Sequence, residues 1–224
     1  MPIMSSKYLS LLEAENETLM LADGFFLFRR FVDTVPLQDE INRIAEAAAF
    51  RNMTVPGGAT MSVAMTNCGA FGWTASKRGY VYTAHDPLTD LPWPPKPEAF
   101  STLATRAADA AGFANFRPDA CLINRYAAGA RMGLHQDKDE CDFSAPIVSV
   151  SIGASAMFLL GGLTRRDKFS RLLKVLSTEI HDGDVLVWGG MGEKGARLRF
   201  HGVAPLKADE LNPFRFNLTL RKAM

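Results

Sequence analysis

From residue 120 onward the apolar positions come in short runs rather than helical stripes. CLINRYA, PIVSVSIG, AMFLLGG, DVLVWGG, RFHGV and FRFNLTLR are separated by turn residues such as Asp-Gly-Asp and Gly-Gly, the pattern of successive strands. The first half has a different texture. Asp33 or Thr34 is placed to cap a helix with Pro36 in its first turn, and apolar residues continue through INRIAEAAAF to an end near Phe50. A second helix is predicted from Pro97 to Ala111, with Phe100, Leu103, Ala104, Ala107 and Ala111 on one stripe and Gly112 as its stop. The intervening stretch, TVPGGATMSVAMTNCGAFGWTASKRGYVYTAHDPLTDLPW, is rich in Gly, Pro and aromatics and predicts a short hairpin followed by loops that display binding residues. Short strands following helices predict an α+β fold, a two-sheet barrel or jelly roll with the helices packed outside one sheet.

Composition narrows the partners. With 224 residues and 47% hydrophobic content, the chain suits one sizeable, soluble domain, 1–224. Lys and Arg number 25 against 24 Asp and Glu, so any contact with nucleic acid must be local. Cys68, Cys121 and Cys141 form no CxxC pair, which favours reduced, cytoplasmic thiols over a disulfide framework or a structural zinc site. No run approaches a membrane span and none follows the N-terminal lysine as a secretion signal would. Neither secretion nor membrane insertion is expected, and nothing calls for more than a monomer.

The stretch LHQDKDE, residues 134–140, raises the question of chemistry. If it is extended, His135 and Asp137 project from one face, because strand side chains alternate with period two. A third ligand must come from elsewhere. Of the other histidines, His201 in RFHGV is better placed than His181, which sits in a solvated turn, EIHDGD, or His85 beside Asp86. Two histidines and one carboxylate occupy one face of Fe(II) and leave positions open for cosubstrate and oxygen. By itself His-x-Asp is weak evidence and reads more readily as an exposed acidic loop. In FRFNLTLR, Arg215, Asn217, Thr219 and Arg221 alternate with Phe214, Phe216, Leu218 and Leu220. That polar face is either the wet side of an antiparallel strand or a site for a small dicarboxylate, since guanidinium pairs bidentately with carboxylate. Asn124 and Tyr126 share one face of LINRY and offer the same ligand an amide and a phenol.

In this order NRYAAGARMGLHQDKDE, GDVLVWGG, RFHGV and RFNLTLR, with PGGATMSVAMTNCGAFGW before them, closely resemble the AlkB family of Fe(II)- and 2-oxoglutarate-dependent dioxygenases, over residues 45–221. The resemblance is strongest to bacterial members, which remove alkyl lesions from nucleic-acid bases. It implies a double-stranded β-helix (jelly-roll) core over about residues 120–221, flanking N-terminal helices, and a nucleotide-recognition lid over about 45–95. It further implies that His135, Asp137 and His201 hold iron, and that Asn124, Tyr126, Arg215, Asn217, Thr219 and Arg221 surround 2-oxoglutarate, with Arg215 on its distal carboxylate. Trp73, Tyr80, Tyr82, Asp139 and Arg165 match substrate-contacting positions. Lys194, Arg197 and Arg199, before His201, suit either phosphate contacts or a plain solvated loop.

The implied reaction consumes O2 and 2-oxoglutarate, yields succinate and carbon dioxide, and hydroxylates the N-methyl group of 1-methyladenine or 3-methylcytosine. The product collapses to formaldehyde and the restored base. Methylated DNA is the expected partner, with RNA as the alternative. Two rivals stand beside this reading: a dioxygenase of the same fold acting on protein or a small molecule, and a non-catalytic module that senses metabolite or damage.

Overall fold

A computed structural model describes residues 17–164, 176–191 and 195–224. The chain begins with β1 (Thr18–Ala22) and β2 (Phe25–Phe28), then α1 (Val35–Ala47), β3 (Arg51–Thr54) and β4 (Thr60–Gly69). A hairpin of β5 (Gly72–Ser76) and β6 (Gly79–Thr83) precedes α2 (Glu98–Ala110). There follow β7 (Ala120–Tyr126), β8 (Met132–His135), β9 (Ile147–Gly153) and β10 (Ala156–Leu160). The last described strands are β11 (Leu176–Ile180), β12 (Val185–Trp188), β13 (His201–Val203) and β14 (Arg215–Arg221).

Among the described residues the strands form an eight-stranded sheet, β1-β2-β12-β9-β14-β7-β4-β3, a four-stranded sheet, β11-β10-β13-β8, and the separate β5-β6 hairpin. Their pairings are antiparallel. The mixed fold, with a jelly-roll core and flanking helices, matches the expectation. Both helices pack on the outer face of the large sheet: Leu37, Ile41, Phe100 and Leu103 share a cluster with Ile123, Val150, Val187 and Leu218. The inner face faces the small sheet, where Phe25, Leu122, Ile147 and Trp188 meet Phe158, Leu160 and Val203.

Helix α1 starts behind Thr34 as expected, but the Thr34 hydroxyl donates to Asp182 Oδ2 at 2.9 Å instead of capping. The Val35 amide is taken instead by Asp33 Oδ1, at 3.1 Å. Helix α2 stops at Gly112, whose φ of 84° is the left-handed turn that glycine adopts without strain.

Residues 45–95 divide their roles. β3 and β4 extend the large sheet, so the stretch expected as hairpin and loops contributes a ten-residue strand to the core. Only β5-β6 stands apart, and Asn67 of β4 ties it down: its side chain donates to the Trp73 carbonyl and accepts from the Trp73 amide, both at 3.0 Å. Buried Trp93 packs against Gly72 and donates from Nε1 to the Thr83 carbonyl at 2.9 Å. A Cβ at position 72 would overlap that indole. Gly72→Ala is therefore expected to lower stability by about 1–3 kcal/mol, read as a lower urea midpoint with an unchanged denaturant slope.

Candidate active site

His135 ends β8 and His201 begins β13, and the two strands pair with these residues directly opposite each other. So close an approach needs Gly202, where a Cβ would sit 2.6 Å from the Met132 carbonyl oxygen. Asp137 lies just beyond β8, and the ligand atoms of His135, Asp137 and His201 all lie within 4.8 Å of one another. Each imidazole turns Nδ1 toward a carbonyl, His135 to Gly133 at 2.9 Å and His201 to Arg199 at 3.0 Å. With Nδ1 as donor, Nε2 keeps its lone pair for a metal. Asp137 Oδ1 and Oδ2 lie 3.6 and 3.5 Å from the Nε2 atoms of His135 and His201, and the buried Oδ2 has no hydrogen-bond partner. Nitrogen and carboxylate donors on one side of a cavity, one oxygen left bare, fit Fe(II).

Charge pairing sets the protonation of this group. Burial raises the Asp137 carboxyl, but Arg221 and the two histidines outweigh it and hold the group well below the usual carboxylate range. Burial lowers His135, yet Asp137 raises it more; burial and the neighbouring His135 push His201 down. Metal binding must displace whatever proton the imidazoles share.

The triad opens into a cavity of about 620 Å³ between the two sheets. Across it, the inward face of β14 presents Arg215, Asn217, Thr219 and Arg221, and β7 adds Asn124 and Tyr126. These side chains are buried, so the polar face of β14 is neither wet nor solvated. Asn217 donates to Ser149 Oγ at 2.8 Å and to the Val150 carbonyl, while its Oδ1 accepts from Thr219 and Asn124. Arg215, 1% exposed, donates from Nη2 to Ser151 Oγ at 3.1 Å and lies over the Tyr126 ring. Its Nε and Nη1 have no partner, nor has Arg221 Nε. A buried guanidinium with two empty donors is costly unless an anion meets it, and a carboxylate fits that fork.

A profile of the 2OG-Fe(II) oxygenase superfamily matches residues 24–221. The protein named alpha-ketoglutarate-dependent dioxygenase AlkB of Salmonella typhimurium is 52% identical over 208 residues, covering 91% of this chain and 92% of its own. That of Escherichia coli K12, with the same name, is 52% identical over 217 residues, 94% and 95% of the two chains. The chain belongs to the AlkB family. Among solved structures, that of OsALKBH1 superposes with a TM-score of 0.75 at 29% identity, covering 92% of this chain and all of the other. With the His-Asp-His triad in place, this AlkB-family chain is an Fe(II)- and 2-oxoglutarate-dependent dioxygenase.

The substrate-side residues of the AlkB-family resemblance divide. Trp73, Tyr80 and Asp139 line the cavity: the rings of Trp73 and Tyr80 stack at 5.3 Å, and Trp73 Nε1 donates to Asp139 Oδ2 at 2.8 Å. Tyr82 does not line it. Its ring is buried and its hydroxyl donates to Glu140 Oε1 at 2.7 Å, although it shares a hairpin face with Trp73, its cross-strand partner, and Tyr80. Arg197 is neither a phosphate contact nor part of a solvated loop; it is 1% exposed and pairs with Glu140 at 2.9 Å. Arg165 and Lys194 lie outside the described residues. Asn67, Glu140 and Ser151 are supporting residues that the sequence reading passed over; Glu140 stood within the LHQDKDE stretch, without a role.

A carboxyl held below its unfolded value of about 3.9 stabilises the fold above that pH, and the contribution disappears as pH falls through the folded value. Metal-free protein should therefore lose stability on acidification below about pH 4. Asp137→Asn should be less stable at neutral pH by about 3 kcal/mol and should lack that portion of the acid-side decline. Urea midpoints of both proteins across the acid range check this.

Proposed function

We propose that the protein removes N-linked methyl groups from nucleic-acid bases by Fe(II)- and 2-oxoglutarate-dependent oxidation. One observation carries the reading: the cavity that holds the metal triad also holds Trp73, Tyr80 and Asp139, an aromatic and anionic wall facing it. Methylation at N1 of adenine or N3 of cytosine leaves the base cationic, and a carboxylate beside an indole attracts it by charge and by cation–π contact. Stacking on an aromatic contributes about 1–3 kcal/mol per base, comparable with the cost of extruding a base that cannot pair.

In this reading His135, Asp137 and His201 hold Fe(II), and Arg215 takes the distal carboxylate of 2-oxoglutarate with its unpaired Nε and Nη1. Asn124, Tyr126, Asn217, Thr219 and Arg221 complete the cosubstrate wall. Iron with 2-oxoglutarate and O2 supplies the oxidising power that hydroxylates the methyl carbon. The chain's own residues orient the reaction. Trp73 and Asp139 aim the methyl group at the triad, and Met61, Met65 and Leu134 furnish apolar lining. The hydroxymethyl product then breaks its C–N bond, releasing formaldehyde and leaving the glycosidic bond intact.

DNA is the proposed partner, with RNA the alternative, and one chain supplies every residue named, so a monomer suffices. Among the described residues no helix is long and apolar enough to cross a membrane. The three free thiols suit a reducing, cytoplasmic setting.

The test is incubation with Fe(II), ascorbate, 2-oxoglutarate and a 1-methyladenine or 3-methylcytosine oligonucleotide, measuring succinate, formaldehyde and restored base on single- and double-stranded DNA and RNA. Turnover of 2-oxoglutarate without base repair would assign the activity to another substrate. Arg215→Gln is expected to raise KM for 2-oxoglutarate at least about thirtyfold. Asp137→Ala should abolish turnover. Asp139→Ala should retain uncoupled 2-oxoglutarate decarboxylation while kcat/KM for the methylated oligonucleotide falls about tenfold or more. Equal loss of uncoupled decarboxylation in the two aspartate variants would overturn the separation of their roles.

A further inference from the structure

Asp137 is enclosed by a ring of buried contacts in which Tyr82, Glu140 and Arg197 have no part in the proposed reaction. Its Oδ1 accepts from Arg221 Nη2 at 3.0 Å. The other terminal nitrogen of Arg221, Nη1, donates to the Tyr82 hydroxyl at 3.0 Å and lies 3.4 Å from Glu140 Oε1. Tyr82 in turn donates to Glu140 Oε1, and Glu140 Oε2 accepts from Arg197 Nη2. Arg197 closes the ring by donating from Nη1 to the backbone carbonyl of Asp137 at 2.7 Å. Its Nε also holds the Ala145 carbonyl. Two arginines and two carboxylates balance, and Tyr82, Glu140, Arg197 and Arg221 are all buried.

We propose that Tyr82, Glu140 and Arg197 are positioning residues that keep Asp137 a one-oxygen ligand. A guanidinium facing a carboxylate pairs with both oxygens when its donors are free to do so. Here Tyr82 and Glu140 anchor Nη1 and so set the guanidinium's orientation: Nη2 alone meets Asp137, at Oδ1, Nε stays unpaired, and Oδ2 stays bare beside His201 Nε2. Arg197 fixes the backbone of the same residue and the carboxylate that anchors Tyr82. The hairpin that faces substrate with Trp73 and Tyr80 thus reaches the metal centre from the same face, through Tyr82, the cross-strand partner of Trp73, a residue that the family resemblance had implied for substrate.

Because the proposal rests on the triad as a metal site, the experiment reads metal binding rather than turnover. Metal-free native, Tyr82→Phe and Val81→Ala proteins are titrated with Co(II), following affinity and the visible ligand-field spectrum. Val81 is exposed on the same strand and serves as the control. Tyr82→Phe is expected to bind Co(II) about 10–100-fold more weakly and to show an altered spectrum at saturation, while Val81→Ala matches native in both. A spectrum identical to native in Tyr82→Phe, or an affinity within about twofold, overturns the proposal. Should Tyr82→Phe fail to fold, Glu140→Asp, which withdraws the carboxylate by one methylene, is measured against the same two criteria. Absence of Co(II) binding by the native protein overturns the triad reading and the proposal together; native binding with an unaltered variant overturns the proposal alone.

Discussion

All seven residues of β14 are buried, although four of them are Arg215, Asn217, Thr219 and Arg221. The strand lies between β9 and β7 in the large sheet, so its backbone donors and acceptors are satisfied on both edges. Its two faces then meet opposite environments. Phe216, Leu218 and Leu220 enter the core under the helices, while the polar set enters the space between the sheets. Burying two guanidinium groups is tolerable only where partners are waiting. Ser151, Asp137, Tyr82 and Glu140 satisfy part of that demand, and the unpaired nitrogens of Arg215 and Arg221 express the rest as a requirement for an anion.

The metal ligands come from the other sheet. His135 and His201 stand at paired positions of β8 and β13, facing β14 across the cavity, and Asp137 joins the two sides through Arg221. That ion pair makes the metal triad and the polar face of β14 parts of one electrostatic unit. The β5-β6 hairpin touches both the cavity and the ion pair, since Trp73 and Tyr80 line the cavity while the Tyr82 hydroxyl accepts from Arg221.

Strands with clear alternation or clear punctuation were legible in the sequence. RFNLTLR, CLINRY and IVSVSIG lie within a residue of where their patterns end, and both helices appear with their proline starts. TMSVAMTNCG was not recognised as one strand, because its central residues are buried whatever their parity and the period-two signal is lost. The β1-β2 hairpin was missed despite Asp23-Gly24 between apolar runs, a turn signal that Gly24 at φ 70° obeys. Arg197 illustrates the opposite failure. Charged residues in a loop read as solvated, and nothing local records that Glu140, 57 positions earlier, will bury one of them.

The amino-acid sequence by itself determined which side chains share a strand face, because parity along an extended chain is a local property. Arg215 with Asn217, Thr219 and Arg221 follows from that alone, whereas Asp137 lies beyond the end of β8 and joins His135 only in the folded chain. Only the tertiary structure decided that the polar face of β14 is enclosed rather than wet, that the Tyr82 hydroxyl meets Arg221 outside the cavity lining, and that one oxygen of Asp137 stays bare. Burial and charge pairing depend on what the distant elements bring to the same point, and strand registry across the sheets sets that meeting.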